Sequence, residues 1–319
     1  MTVGKWAKVE TLDPQNSAAF DLPGTILVAF DSARQELQNE LSHGPDTAAQ
    51  GHNVKVKSQE DILAKDAFLY RSYIALSKYS IPLSEIDSSL PPTSNPLVAI
   101  RRFADYMVNS EKRKRIVEQI TAELEKGQQC DDICALMNSF IFVHEENIDD
   151  SLRVLSKTSS LECHAATVQC LLKLNRYDLA ERAEKMQKKD ENSTVTQLTA
   201  TWISLALNTC LKEAFCICQE MIDKYGATPS LLISQAACLI QQQKYEDAEQ
   251  LLQDAQQRDR DNPEVLVGLV VVSEFLGKPF EVTNRYINQL KQDYPHHVWT
   301  KDYLAKEAEF DCVAQESSA

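Results

Sequence analysis

This sequence predicts an all-α fold, a curved helical-repeat solenoid, and three features predict it. Glycine is scarce, at 8 in 319 residues, so few tight turns and few phosphate-cradling loops are available. Hydrophobic residues make up 43% of the chain, ample for a packed core, and they recur on helical spacing. From Leu161 onward one short motif returns every 34 residues.

Residues 1–57 form a poorly assigned segment. A short apolar run at 20–30 is broken by Pro23 and Gly24, residues 31–41 read as a short polar helix, and 42–51 read as a loop. Residues 58–160 read as irregular helical repeats. Ile62, Phe68, Leu69, Tyr73 and Leu76 share helical spacing, and Pro82 suits the first turn of a following helix. The stretch SSLPPTSNP at 88–96 is a break. Helices are predicted over 97–109 and 110–125, the latter ending at Gly127. Residues 131–157 supply two more, parted near Glu146 and Asn147.

Residues 161–294 carry the regular pattern. The strings Tyr177-Asp-Leu-Ala180, Leu211-Lys-Glu-Ala214 and Tyr245-Glu-Asp-Ala248 place three alanines 34 residues apart, and a fourth step reaches Val282. Each unit is a striped helix, a short break, and a second helix opened by the motif. In the third unit Leu232, Ala236, Leu239 and Ile240 fall on one face, then Tyr245, Ala248, Leu252 and Ala255 on another. Alanine suits a point where two helices approach closely. The string DRDNP at 259–263 supplies the stop between units, with Arg260 where a proline often stands. Upstream, Ser151 ends a similar string only 29 residues before Ala180. Residues 295–319 read as a terminal helix and tail.

A period of 34 with small residues at the helix crossing is the tetratricopeptide signature. Such repeats bury apolar faces by stacking and leave a surface for a ligand. Counting from the repeat starts at Leu161, Val195, Pro229 and Pro263, the fifth and ninth positions of each first helix face that ligand. They are Ala165, Gln169, Thr199, Ile203, Ile233, Ala237, Val267 and Val271, and none is charged. An uncharged groove suits an extended or helical protein segment. It lacks the Lys, Asn and Arg clamp with which co-chaperones of this repeat class grip acidic chaperone tails. A cytosolic adaptor or co-chaperone of another complex is the alternative reading.

Composition narrows the function further. A formal charge of -14 disfavours nucleic acid and anionic membranes as direct partners. Nine cysteines, an odd number, form no disulfide framework in a chain this long. Residues 1–10 lack the apolar stretch of a signal peptide, and the greasiest run, 265–272, is about half a bilayer crossing. A cytoplasmic protein is expected. Phosphate-loop, dinucleotide and zinc-protease motifs do not occur, so no catalytic, cofactor-binding or metal-binding residue is assigned. Cys130 and Cys134 share a helical face but lack further ligands and read as core cysteines. Cys163-His164, being neighbours, do not face each other on a helix, and Cys216 and Cys218 point nearly opposite ways. His296-His297 beside Pro295 reads as a solvated loop. The basic run 112–115 reads as a solvated face rather than a nuclear-entry patch, and the sequon at Asn192 carries no meaning in the cytosol.

Specific strings add to the period. Phe68-Leu-Tyr-Arg-Ser-Tyr-Ile-Ala75, Ser160-Leu-Glu-Cys163, Leu276-Gly-Lys-Pro279, Glu281-Val-Thr-Asn-Arg-Tyr286 and Tyr303 through Phe310-Asp311 resemble the epsilon subunit of coatomer. That resemblance implies a non-enzymatic subunit of the heptameric COPI coat, recruited to Golgi membranes by a small GTPase. It implies direct binding to the alpha coatomer subunit, peripheral attachment to Golgi membranes and coated vesicles through the coat, and a part in Golgi-to-ER and intra-Golgi transport. It implies no cofactor.

Overall fold

The computed structural model describes residues 59–75, 78–86, 96–126, 130–180 and 193–316, and every regular element among them is helical. The apolar run at 20–30, the helix expected at 31–41, the loop at 42–51 and most of the break at 88–96 lie outside the described residues. Two compact units emerge, one ending at Ala200 and one starting at Thr201.

The first unit contains α1 (Gln59–Ala75), α2 (Ser80–Glu85), α3 (Pro96–Val108), α4 (Arg113–Glu125), α5 (Asp132–His144), α6 (Ile148–Leu155), α7 (Leu161–Lys173) and α8 (Tyr177–Ala180). The helix expected from residue 110 enters through a 3-10 turn, Ser110–Lys112, before α4. Each odd-numbered helix packs on its even-numbered successor, and α1, α3, α5 and α7 also pack in a row. Among the described residues, three helix pairs therefore precede Leu161. One core runs through them, from Ala67 and Ile100 through Phe103, Phe140 and Ile141 to Cys170. Within this unit buried Arg71 of α1 donates to Glu162 of α7 at 2.8 Å, joining helices 91 residues apart.

The second unit holds the end of α9 (Thr194–Leu207), then α10 (Leu211–Tyr225), α11 (Pro229–Gln241), α12 (Tyr245–Arg258), α13 (Pro263–Phe275), α14 (Phe280–Asp293) and α15 (Val298–Glu316). First helices are buried nearly all round, and in α11 every residue from Leu231 to Ile240 is buried. Second helices bury one stripe, in α12 only Ala248, Leu252 and Ala255. The asymmetry follows from stacking: a first helix is covered by its own partner and by the adjoining pair, since α11 packs on α10, α12 and α13. Polar residues start these helices. Ser160 Oγ, Thr228 Oγ1 and Asn262 Oδ1 accept from the backbone N–H groups of Cys163, Leu231 and Glu264. Pro229 and Pro263 then occupy first-turn positions where no N–H is needed.

Five first helices end in the same turn. Glu146, Asn175, Asn208, Gln243 and Gly277 have φ between 54° and 64°. The next N–H in each turn (Asn147, Arg176, Thr209, Lys244, Lys278) reaches back to a carbonyl five residues earlier at 2.9–3.0 Å. This is a Schellman closure, which satisfies the last helical carbonyls. Four of its five left-handed residues are not glycine, and each of those four carries a steric cost of about 1 kcal/mol.

The fourth repeat corrects the 34-residue step. Val282 is 37% exposed, and the buried position at the helix crossing belongs to Thr283, at 1%. The stripe Ala214, Cys218, Met221 and the stripe Ala248, Leu252, Ala255 align with Thr283, Ile287, Leu290, a step of 35 residues. The cause is the connector: residues 276–279 separate α13 from α14, whereas 242–244 separate α11 from α12. One added residue displaces the whole helix by one position.

Candidate functional site

The eight groove positions divide by depth. Ala165, Thr199, Ile233, Ala237 and Val267 are buried, while Gln169, Ile203 and Val271 are half-buried. The fifth position of each first helix thus lies inside the chain's own packing, and the ninth position, apart from Ala237, reaches the surface. Within the second unit these residues spread over three clusters. Ile233 packs with Leu232, Ala236 and Leu269, with Val271 at the margin of that cluster. Val267 packs with Ile287 and Leu290 beside Trp299 and Tyr303. Ala237 packs with Leu205, Ala214 and Cys238. In the first unit Gln169 and Lys173 line a notch between α5 and α7, floored by Ser139, Phe140, Val143 and Ala166. Of the eight positions, Gln169 in the first unit and Ile203 and Val271 in the second are the ones not fully buried, an amide and two aliphatic side chains without charge.

Several side chains singled out in the sequence prove to be committed within the fold. Cys163 Sγ donates to Asp132 O at 3.4 Å, while the Nδ1 of His164 meets Ser160 O at 2.7 Å. They do not form a nucleophile–base pair. Cys216 is exposed and Cys218 buried, as expected for opposed sides of α10. In the basic run, Lys112 pairs with Asp105 at 3.0 Å. Arg113 donates Nε–H to Tyr106 O at 3.1 Å and lies over the Tyr106 ring. Lys114 and Arg115 are exposed. Half of the run thus braces α4 against the end of α3.

His297 departs from the expected solvated loop. Its Nε2 lies 3.0 Å from Glu264 Oε1, with side chains 10% and 6% exposed. Tyr294 Oη donates to Asp261 O at 2.6 Å beside it. The connector between α14 and α15 is thereby pinned to the start of α13, a contact across 33 residues that local sequence does not reveal. Asn192 of the sequon lies outside the described residues.

Burial sets the thiol chemistry. It pushes Cys218 and Cys238 each up to about 12, and it raises Cys163 and Cys170 as well. Such thiols are inert near neutral pH. Among the described residues no group of three His, Cys, Asp or Glu side chains is placed to hold a metal ion, and no helix is long and apolar enough to cross a membrane.

Comparison with known proteins turns the repeat array into a specific family. The model of the coatomer epsilon subunit family matches residues 37–318, beginning some way before the strings noted in the sequence. Coatomer subunit epsilon of Caenorhabditis elegans is 36% identical over 265 residues, covering 82% of this chain and 90% of the relative. Coatomer subunit epsilon-1 of Arabidopsis thaliana is 35% identical over 263 residues, covering 81% and 87%. The Dictyostelium discoideum coatomer subunit epsilon is 32% identical, covering 77% and 84%. Among solved structures, the hetero-tetramer Cut9–Hcn1 of APC/C superposes with a TM-score of 0.53 at 11% identity, over 91% of this chain and 64% of that one. That likeness concerns the fold alone. Matched along nearly all of its repeats by a family model and by curated relatives from animal, plant and amoeba, the chain belongs to the coatomer epsilon subunit family.

Proposed function

We propose that this protein is a structural, non-enzymatic subunit of the COPI coat that binds the alpha coatomer subunit directly and, with the other coatomer subunits, supports Golgi-to-ER and intra-Golgi transport. The single observation that carries the reading is the family match over residues 37–318. Its place is the cytoplasmic face of Golgi membranes and coated vesicles, reached through the coat rather than through its own lipid contact. No cofactor enters this role.

Physical chemistry supports a protein ligand of apolar character. The accessible ninth positions Gln169, Ile203 and Val271 are uncharged, which suits burial of an apolar partner segment and does not suit a clamp for an acidic chaperone tail. Burial of Ile233 and Val267 makes those two poor probes, because a charge there would unfold the chain rather than block a surface. The test uses Ile203→Asp and Val271→Asp together, in a chain co-expressed with the alpha subunit. Co-purification falls by about tenfold or more, as expected when a buried interface contact acquires an unpaired charge, and the helical circular dichroism stays unchanged. Undiminished co-purification by the doubly charged chain would place the alpha subunit on another surface.

A further inference from the structure

The partner-binding reading leaves one side-chain cluster unused, at the N-terminus of α5. Cys134 is the third residue of that helix, and Cys130 immediately precedes its N-cap, Asp131. The two thiols are close enough for each to shift the other's ionisation. One amide also touches both sulfurs: Asn138 Nδ2 lies 3.8 Å from Cys130 Sγ and 3.7 Å from Cys134 Sγ. Asn138 is 4% exposed, and its Oδ1 has no hydrogen-bond partner among the described residues, so this side chain serves the sulfurs alone. The Arg102–Glu123 ion pair, joined by two 2.9 Å bonds, also acts on the thiols, its guanidinium favouring the thiolate and its carboxylate opposing it.

These surroundings make the two thiols unlike. The neighbouring Cys130 thiol is the largest influence holding Cys134 below its ordinary value, with Arg102 in the same direction and burial, Glu123 and Asp131 opposed, while the Cys134 thiol and burial drive Cys130 upward. The first turn of a helix favours the anion further. The shifts run in opposite directions, the sense required of an attacking and a resolving thiol. Cys130 is half-buried, which gives a small oxidant access.

We propose that Cys130 and Cys134 form a peroxide-oxidised dithiol that closes to a disulfide. The Cys134 thiolate attacks one oxygen of hydrogen peroxide. An S–O bond forms, the O–O bond breaks, and the departing hydroxide takes a proton from solvent to leave as water. The Cys130 sulfur then attacks the sulfenic sulfur of Cys134. The S–S bond forms, the S–O bond breaks, and hydroxide leaves with the Cys130 proton as a second water. Peroxide accepts two electrons and the two thiols supply them. Both sulfurs lie within 3.8 Å of one atom, Asn138 Nδ2, before oxidation begins.

The test treats the reduced full chain with graded hydrogen peroxide, alkylates remaining thiols, and reads the tryptic peptide 127–153, which holds both cysteines, by mass spectrometry. That peptide becomes lighter by two hydrogens, unalkylated and recoverable with dithiothreitol, about tenfold faster than exposed Cys210, Cys216 and Cys312 are lost. In Cys130→Ser the sulfenic acid accumulates on Cys134 and is trapped by dimedone; in Cys134→Ser residue 130 remains a free thiol. The proposal fails if both cysteines stay alkylatable at peroxide levels that consume the exposed ones, or if dimedone traps Cys134 in the unmodified chain without any bridged peptide. The wild-type readout requires no variant to fold, and it is independent of the coat reading.

Discussion

Gly268→Ala tests how tightly adjoining pairs are stacked, because two opposed effects meet there. A Cβ built on Gly268 of α13 would stand 2.8 Å from Leu252 Cδ2, 3.0 Å from Cδ1 and 3.5 Å from Cγ. Ordinary carbon contacts lie near 3.5–4.0 Å, so the two methyls must yield by most of an ångström. Leu252 is fully buried in a cluster with Ala248, Ala255, Val265 and Leu269, and its movement meets further packed side chains. Such overpacking costs about 1–3 kcal/mol. Alanine within a helix returns about 1 kcal/mol relative to glycine. The net expectation is a loss of about 1 kcal/mol, read by urea unfolding and, locally, by faster hydrogen exchange in α12 and α13. Shortening the neighbour should relieve the clash, so Gly268→Ala combined with Leu252→Val is less destabilised than the sum of the two single changes by about 1 kcal/mol. A stabilised Gly268→Ala, or strict additivity in the cycle, would refute the claim that Gly268 is required by close helix approach.

Three further perturbations follow from the turns, the register and the buried thiols. Gln243→Gly removes the steric cost of φ 62° at the end of α11 and should stabilise the second unit by about 1 kcal/mol, measured by urea midpoint; no gain would mean that the Gln243 side chain contributes an offsetting contact. Thr283→Asp buries an unpaired carboxylate and should cost about 3 kcal/mol or more, whereas Val282→Asp at the exposed neighbour should change stability within about 0.5 kcal/mol; equal effects would restore the 34-residue register. Cys218 and Cys238 are raised from 9.0 to about 12 by burial, so in the folded chain they remain protonated where an unfolded chain ionises. The stability this provides is present below pH 9.0 and is lost as pH rises from there through about 12. Iodoacetamide at pH 9 should therefore label exposed Cys210 and Cys216 while sparing these two until the chain unfolds; rapid labelling of Cys218 or Cys238 in the folded chain would contradict their burial.

Most of the architecture was legible because repeat proteins write tertiary structure as local pattern. A helix pair contacts only its neighbours, so the spacing of Ala214 and Ala248 and the prolines at 229 and 263 each announce a feature the structure contains. The split near Glu146 was readable for the same reason. What stayed hidden depends on distance. Arg71 meets Glu162 and His297 meets Glu264 across separations that no window of sequence spans. The groove was only partly legible: helical period places residues on a face, yet it does not say how deep that face lies. Ile233 and Val271 share a face by counting, and packing makes one buried and the other accessible. Coatomer strings in the sequence supplied the family that the period alone could not.

The extra residue in the last connector shows why such an array tolerates insertions that a compact sheet would not. One residue rotates every following helical position by about 100°, enough to carry Val282 outward and Thr283 inward. In a helix pair this displacement is absorbed locally. The connector between α13 and α14 keeps the same Schellman closure, with Gly277 N–H on Glu274 O and Lys278 N–H on Ser273 O, each at 3.0 Å. Pro279 at φ -54° then opens α14 one position later. The left-handed residue of this longest connector is the one glycine among the five, where the conformation costs least. Small or branched side chains appear at the new register, Thr283 and Ile287, in place of the old. The repeat therefore preserves the buried stripe rather than the residue count. A search for further members of this array should align the stripe and the positive-φ turn, whose spacing from Glu146 to Gly277 varies from 29 to 35 residues while the hydrogen-bond pattern remains constant.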